Sequence, residues 1–199
     1  MKTFLLEIKT SLLLTIVFAV LLCGVYPLAV WAGAQALFAD KANGSLVTDK
    51  DGTVRGSLLL AQNFSRAKYF QPRPSAAGTG YDAASSSGTN FGPTSQKLND
   101  SIKAAVASYR TANALAADVP VPADAVTSSG SGLDPHISLA NARLQAARVA
   151  LARHLSLAQV QSVIGQTSHD RDWGVFGEPT VNVLVLNRAL DEAPESSTR

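Results

Sequence analysis

The architecture of this chain follows from its most apolar stretch, residues 10–39, with the sequence TSLLLTIVFAVLLCGVYPLAVWAGAQALFA. These 30 consecutive residues carry no formal charge, and 22 of the 28 residues from Ser11 to Phe38 are hydrophobic. A helix needs about 20 apolar residues to cross a bilayer, because only an internally hydrogen-bonded backbone leaves no amide unsatisfied there. We therefore predict a short head at residues 1–10 and a transmembrane helix at residues 11–34.

Two other fates of the apolar stretch are open. Ala32-Gly33-Ala34 places small residues where a secretory signal would be cleaved, which would release a secreted binding protein after Ala34. The apolar stretch before that position is longer than the roughly 7–15 residues usual in such signals. A lipid-modified Cys23 is disfavoured by the bulky leucines that precede it. A retained anchor is therefore the favoured interpretation.

The orientation of the predicted helix is not fixed by charge, because basic residues flank it on both sides and the positive-inside rule discriminates little. A short head is simpler to leave in the cytoplasm than to export. We expect the N-terminus in the cytoplasm of a cell whose inner membrane holds the helix. Residues 35–191 then form an extracytoplasmic (periplasmic) domain, and residues 192–199 form a disordered tail.

Gly24 and Pro27 lie inside the predicted membrane helix. Pro27 cannot donate a backbone hydrogen bond and leaves the Cys23 carbonyl without its usual partner, which predicts a kink. Small and kinked positions are where neighbouring membrane helices pack closely. Gly24 and Pro27 therefore mark a packing face for a partner helix, unless the proline is simply tolerated in an isolated anchor.

Composition excludes several classes of protein for the region after the helix. Residues 40–199 carry 15 Lys and Arg against 14 Asp and Glu. This balance gives no field that would gather nucleic acid. The single cysteine excludes an intrachain disulfide framework and a cysteine-rich metal cluster.

Hydrophobic periodicity predicts a mixed α/β (α+β) domain with long glycine- and serine-rich loops. The loops are expected at residues 71–94 and at residues 127–138, where bulky side chains are few and turn residues are frequent. The expected elements are a strand at Val54–Leu60, a helix at Ser95–Ala117, a helix capped by Ser138 that extends to His154, a short helix opened by a capping box at Ser156 and closed by Gly165, and a strand at Val181–Leu186 buried on both faces.

The residues themselves do not assemble a catalytic or metal constellation. Ser131, His136 and His169 are nucleophile or ligand types, but Ser131 lies outside any nucleophile-elbow motif and the spacing of the histidines fixes no coordination geometry. A membrane-anchored extracytoplasmic hydrolase or metal-binding module built on these three residues is the alternative function. We predict no catalytic residue and no metal ligand.

Six stretches of loop and strand sequence stand out: GSLLLAQNF (56–64), KYFQPRPS (68–75), NFGPT (90–94), SGSGLDPHIS (129–138), GEPTVNVL (177–184) and LNRALD (186–191). In this order they resemble the sequences of one known family, the C subunits of the bacterial Kdp potassium-transporting P-type ATPases.

The resemblance implies a non-catalytic accessory subunit of a high-affinity, ATP-driven potassium uptake complex. Its partners would be a potassium-channel-like subunit and a P-type ATPase subunit that carries the catalysis, within the lipid bilayer and without nucleic acid. It implies support of assembly and an increase in the ATP affinity of the ATP-hydrolysing subunit, the role of a catalytic chaperone. ATP and potassium would be handled by the complex, and this chain itself is expected to bind no cofactor.

Six loop residues are the candidates for partner contacts: Tyr69, Phe70 and Arg73 in the first loop region, and Asn90, Asp134 and His136 in the others. Aromatic residues and arginine are the usual anchors of buried protein contacts. For Asp134 and His136, hydrogen bonds that only support their own loop are an equally open interpretation.

Overall fold

The computed structural model describes residues 2–192, so the predicted tail at 192–199 lies outside the described residues apart from Glu192. The chain divides into two compact units between Leu46 and Val47. Each unit is described here by itself.

The N-terminal unit is helical. It contains α1 (Lys2–Ala19), a π-helical segment (Val20–Val25) and α2 (Tyr26–Ala42). Among the described residues, Thr3–Ala42 is the one helix long and apolar enough to cross a membrane by length and composition, and its most apolar window is not buried. The segment predicted to span the membrane lies within this helix.

The irregularity expected at Pro27 takes the form of a wider helical turn. Tyr26 donates its backbone N–H to the Leu21 carbonyl, five residues back rather than four. A π-helical turn of this kind lets the chain absorb a proline ring that would clash with a regular preceding turn. Gly24 lies within the same turn, and a Cβ atom there would meet no neighbouring atom within 4 Å. The backbone also leaves helical geometry at Phe38.

The second unit combines helices and short strands, which confirms the mixed α+β prediction. Its elements are β1 (Leu46–Thr48), β2 (Val54–Ser57), α3 (Gln96–Ala112), a 3₁₀ turn (Ala123–Ala125), β3 (His136–Ser138), α4 (Leu139–Arg153), α5 (Leu157–Thr167), β4 (Ser168–His169), β5 (Thr180–Asn182) and α6 (Val183–Glu192). Residues 58–95 contain turns and bends but no helix or strand.

Two small sheets organise the strands. β1 pairs with β2, and β5 lies between β3 and β4 in an antiparallel three-stranded sheet. The central residue Val181 is opposite Ile137 on one side and Ser168 on the other. The hydrophobic core lies among β3, β5, α4, α5 and α6, and its members are Phe70, Ile137, Ala142, Ala146, Val149, Ala150, Val160, Ile164, Val181, Val183, Leu186 and Leu190.

Three helix starts follow the sequence prediction. Ser95, Ser138 and Ser156 each accept a hydrogen bond from the backbone N–H three residues on, which satisfies one of the free donors at a helix N-terminus. At Ser156 the Gln159 side chain completes a reciprocal capping box.

The strand predicted at Val181–Leu186 is confirmed for Val181 and Asn182 and wrong from Val183 onward. β5 ends at Asn182, whose side-chain oxygen accepts hydrogen bonds from the backbone N–H groups of Leu184 and Val185, at 3.1 and 3.3 Å. This N-cap turns the apolar run into the first turn of α6. Val183, Leu186 and Leu190 are then buried at helical spacing.

Three other boundaries differ from the prediction. The strand predicted at Val54–Leu60 is β2 and ends at Ser57, and α3 ends at Ala112 rather than Ala117. Asn113 ends α3 by donating its side-chain amide to the Tyr109 carbonyl. Gly165 does not close α5, which continues through it to Thr167.

Candidate functional site

The loop that carries Tyr69 and Phe70 is held by side chains instead of a neighbouring strand. Each backbone carbonyl from Ala67 to Gln71 accepts a hydrogen bond from a side chain of α4 or α6. We call residues 67–71 the clamped segment. Backbone groups without hydrogen-bond partners are costly away from water. Because side chains of the two helices supply these partners, the clamped segment can lie against the core without being part of a strand.

Two amide side chains form the centre of this arrangement. Asn187 accepts from the Phe70 N–H at 2.8 Å and donates to the Phe70 carbonyl at 2.9 Å. Gln145 does the same for Gln71, at 2.8 and 3.0 Å. Asn187 and Gln145 are each about 1% exposed, so both pairs of hydrogen bonds are shielded from water. Each amide side chain therefore forms the same pair of hydrogen bonds that a backbone residue of a neighbouring β-strand would form.

Two arginines on α4 hold the N-terminal half of the clamped segment. Arg148 donates to the carbonyls of Ala67 and Tyr69 and also to Gln145. Arg153 donates to the Lys68 carbonyl, and a second nitrogen of its guanidinium pairs with Asp191 at 2.8 Å. Burial lowers the pKa of Arg148. Each guanidinium group therefore links α4 to the clamped segment and forms several hydrogen bonds at once.

Tyr69 and Phe70 point into different surroundings. Phe70 is fully buried in the hydrophobic core, so its side chain anchors the loop from inside. Tyr69 is half-buried: its hydroxyl lies 3.3 Å from Asp191, and the Arg153 guanidinium lies 5.1 Å from its ring centre. Tyr69 also lines a depression of about 570 Å³ together with Phe64 and residues of α6.

Arg73, Asp134 and His136 come together, although 61 residues separate the first two. Arg73 donates to one carboxylate oxygen of Asp134 at 2.9 Å. The backbone N–H of His136 donates to the other at 3.0 Å, and His136 Nδ1 lies 3.5 Å from it. Burial raises the pKa of Asp134, but the hydrogen bonds from His136 and Arg73 outweigh it and lower the pKa to about 2.

The two predicted loops lie against each other around Gly132. Ser75 donates its hydroxyl to the Gly132 carbonyl at 2.6 Å, and the Ser87 N–H donates to the Ser131 carbonyl at 2.9 Å. Gly132 has φ +68°, and a Cβ atom there would lie 2.5 Å from the Ser87 carbonyl oxygen. Only glycine fits both the backbone conformation and this close approach.

Asn90 is exposed and adopts a left-handed backbone conformation, φ +54°, which asparagine tolerates better than most residues. Within residues 2–192, no hydrogen bond joins Asn90 to Arg73 or Asp134. The structure thus brings together Arg73, Asp134 and His136, places Tyr69 and Phe70 on the clamped segment, and leaves Asn90 on the surface. Whether these residues contact a partner stays a prediction, as it does for Gly24 and Pro27.

The residues of the alternative hydrolase or metal module have other partners. The Ser131 hydroxyl lies 3.3 Å from that of Ser129 and accepts from the Leu133 N–H. His136 and His169 lie on β3 and β4, which flank β5 on opposite sides. His169 lies 3.1 Å from Asp172. Within residues 2–192, no group of three or more His, Cys, Asp or Glu side chains is arranged to hold a metal ion.

Sequence reasoning did not find the residues that hold the site. Asn187 and Gln145 lie 117 and 74 residues from their partners. Their one sequence signal is position: each polar side chain interrupts the buried face of an otherwise apolar or alanine-rich helix. A buried amide must find hydrogen-bond partners, so such an interruption indicates a long-range contact without identifying it.

Fold and site together define a class: a membrane-associated chain with one candidate anchor helix and a small α+β domain whose loops are tied to its helices. The family model described as KdpC, K+-transporting ATPase, c chain, matches residues 8–192. The chain therefore belongs to the KdpC family, which confirms the resemblance seen in the sequence.

Several named relatives match over most of the chain. The Potassium-transporting ATPase KdpC subunit of Mycobacterium tuberculosis is 52% identical over 185 residues, 93% of this chain and 97% of the relative. The protein of the same name from Myxococcus xanthus is 52% identical over 190 residues, 96% and 88% of the two chains. That from Caulobacter sp. (strain K31) is 57% identical over 178 residues, 87% of each.

Proposed function

We propose that this chain is a non-catalytic accessory subunit of an ATP-driven potassium uptake complex. Its role is to support assembly with a potassium-conducting subunit and an ATP-hydrolysing P-type subunit, which carries the catalysis. The helix Thr3–Ala42 anchors it in the inner membrane with the N-terminus in the cytoplasm, and the α+β domain lies in the periplasm. Family membership supports the assignment to such a complex.

The observation that carries the proposed assembly role is the bracing of the loops. The clamped segment and the contact around Gly132 fix loops that contain several blocks of the family resemblance. A loop that is already ordered loses little conformational entropy when a partner binds it, so its contacts yield more net binding free energy. Such bracing suits a docking surface.

An increase in the ATP affinity of the catalytic subunit is the finer part of the proposal. With the domain in the periplasm, it cannot touch cytoplasmic ATP. The effect then reaches the nucleotide site through the membrane helix or through the conformation of a partner, as a coupling free energy between distant sites. Removing this chain from the complex should therefore raise the ATP concentration needed for half-maximal hydrolysis.

The test is affinity purification of the tagged full-length chain from membranes that contain the other proteins of the complex. We expect two larger membrane proteins to co-purify with the wild type. Arg73→Ala removes the ion pair with Asp134, one of the contacts that hold the two loops together, and should reduce the recovery of the partner proteins several-fold. Lys103→Ala, at an exposed position of α3, is the matched control.

Equal recovery with Arg73→Ala and Lys103→Ala would remove the braced loops from the proposed docking role. Absence of any co-purifying subunit with the wild type would remove the proposed function altogether. Thermal unfolding of both variants in the same detergent shows whether a loss of recovery is only a loss of folding.

A further inference from the structure

Three of the four most exposed large apolar side chains among the described residues of the second unit lie in one hairpin, and the fourth is Leu151 on α4. β4 and β5 pair as antiparallel strands, and the hairpin tip between them, residues 170–178, is exposed at every position. Trp173 is 91% exposed, Val175 68% and Phe176 61%. An aromatic group this exposed is unfavourable in water and marks an interaction site when several apolar side chains cluster.

The hairpin tip is ordered by its own contacts. Asp172 and Phe176 exchange two backbone hydrogen bonds of 2.9 and 3.0 Å, and Arg171 pairs with both oxygens of Glu178 at 3.0 and 3.1 Å. The Trp173 and Phe176 rings meet edge to face, with 6.0 Å between their centres. The two rings therefore form one apolar projection on the hydrogen-bonded hairpin tip, and we call this projection the knob.

The backbone at this knob is strained. Trp173 has φ +51°, in the left-handed region that costs a non-glycine residue about 1 kcal/mol or more. Gly174 follows with φ +78°. This backbone presents a large aromatic side chain to water, where it packs on the Phe176 ring and not in the hydrophobic core. Strained residues persist in this way at binding sites, because the presented side chain is used by a partner.

The charge around the knob distinguishes a protein partner from a lipid surface. Asp170, Asp172 and Glu178 supply three negative charges and Arg171 one positive charge, a net charge of −2 with His169 neutral. Loops that enter bilayers with anionic lipids carry basic residues around their apolar side chains. An acidic rim around an aromatic knob instead complements an apolar pocket with basic residues at its edge.

We propose that the hairpin tip docks Trp173 and Phe176 into an apolar pocket with a basic rim on another protein of the same complex. This inference rests on the proposed function, since it requires such a complex. Tryptophan is the residue most enriched at the energetic centres of protein interfaces, and a pre-ordered loop lowers the entropic cost of docking.

The first experiment introduces a photo-crosslinker, Phe176→p-benzoylphenylalanine, into the tagged full-length chain within the purified complex. We expect an adduct whose mass spectrum contains peptides of another protein of the complex. The same crosslinker at Leu151, an exposed leucine of α4, is the control for random labelling. Adducts with lipid only, or no protein adduct above the Leu151 control, would overturn the proposal.

The second experiment compares Trp173→Ala/Phe176→Ala with Leu151→Ala in the same purification. Loss of two central aromatic contacts should weaken retention of the partner at least tenfold, while Leu151→Ala retains it like the wild type. Unchanged thermal unfolding shows that the variant still folds. If the wild type retains its partners and the double variant retains them equally, the inference fails while the proposed function stands. If the wild type retains none, both fail.

Discussion

Single side chains decide whether the clamped segment stays in place. Asn187 is the clearest case, because it forms two hydrogen bonds to Phe70 in a fully buried setting. No helix or strand would otherwise satisfy those backbone groups. The stability of the loop thus depends on one amide whose oxygen and nitrogen both have defined partners.

Replacing Asn187 by alanine should lower the free energy of unfolding by about 2–4 kcal/mol, because it leaves a buried N–H and a buried carbonyl without partners and opens a small cavity. Denaturant unfolding of the full-length chain in detergent measures the change. Asn99→Ala, at an exposed position of α3, should stay within about 0.5 kcal/mol of the wild type. Equal effects of the two substitutions would contradict the clamp.

Asp134 should make stability depend on acidic pH. Its pKa is about 2 in the folded chain, below the roughly 3.9 of a free aspartate, so its contribution is present above about pH 4 and is lost as the pH falls towards 2. Asp134→Asn removes this contribution. We expect the wild type to be the more stable form near neutral pH and the difference to shrink between pH 4 and pH 2.

Denaturant midpoints measured across that pH range test the contribution of Asp134. Asp118→Asn, at an exposed position after α3, serves as the control and should not show the same convergence. A constant difference between the wild type and Asp134→Asn at every pH would show that the contacts with Arg73 and His136 do not favour the charged carboxylate.

At the scale of elements, α4 contacts both the core and the clamped segment, and its alanines allow this. Ala142, Ala146 and Ala150 are buried one turn apart, so the helix packs closely against its neighbours. The three alanines are therefore a packing feature of α4.

Ala146→Leu should destabilise the domain by about 1–3 kcal/mol, because three added heavy atoms have no space in a packed core. Ala147→Leu places the same atoms on the exposed face of the same helix and should change stability by no more than about 0.5 kcal/mol. Thermal or denaturant unfolding of the two variants provides the comparison. A similar cost for both would mean that α4 is not closely packed on the side of Ala146.

What could be predicted from the sequence is what local chemistry determines. The caps at Ser138 and Ser156 and the long apolar segment at residues 11–34 have direct physical signals within a few residues. The run from Val181 to Leu186 fits both a buried strand and a helix, and the cap at Asn182 resolves the ambiguity.

The candidate site was harder to predict. The family resemblance pointed to Tyr69, Arg73, Asp134 and His136, but no spacing indicates that Arg73 reaches Asp134 or that Asn187 reaches Phe70. Contacts of this length depend on how helices pack, which local propensity does not specify. The exposed aromatics of the hairpin tip gave no periodic signal at all.

At the scale of the whole molecule, the chain combines an apolar helix and a domain. The most apolar stretch of the helix has no buried side chains, whereas the domain has its own hydrophobic core. The first needs an apolar environment and the second does not. This division suits a subunit that is held by the membrane and acts through surfaces: a braced loop region and, by our inference, a hairpin tip.

The hydrogen bonds of the clamped segment also oppose strand pairing with a second copy of the chain. An extended segment at a sheet edge exposes a row of amides and carbonyls that a second molecule can extend, which is how aggregation and strand exchange begin. Here the carbonyls from Ala67 to Gln71 already accept hydrogen bonds from side chains of α4 and α6. The backbone N–H groups of an incoming strand would have to displace these side chains. The segment therefore offers neither a template for self-association nor an alternative register into which it could slip.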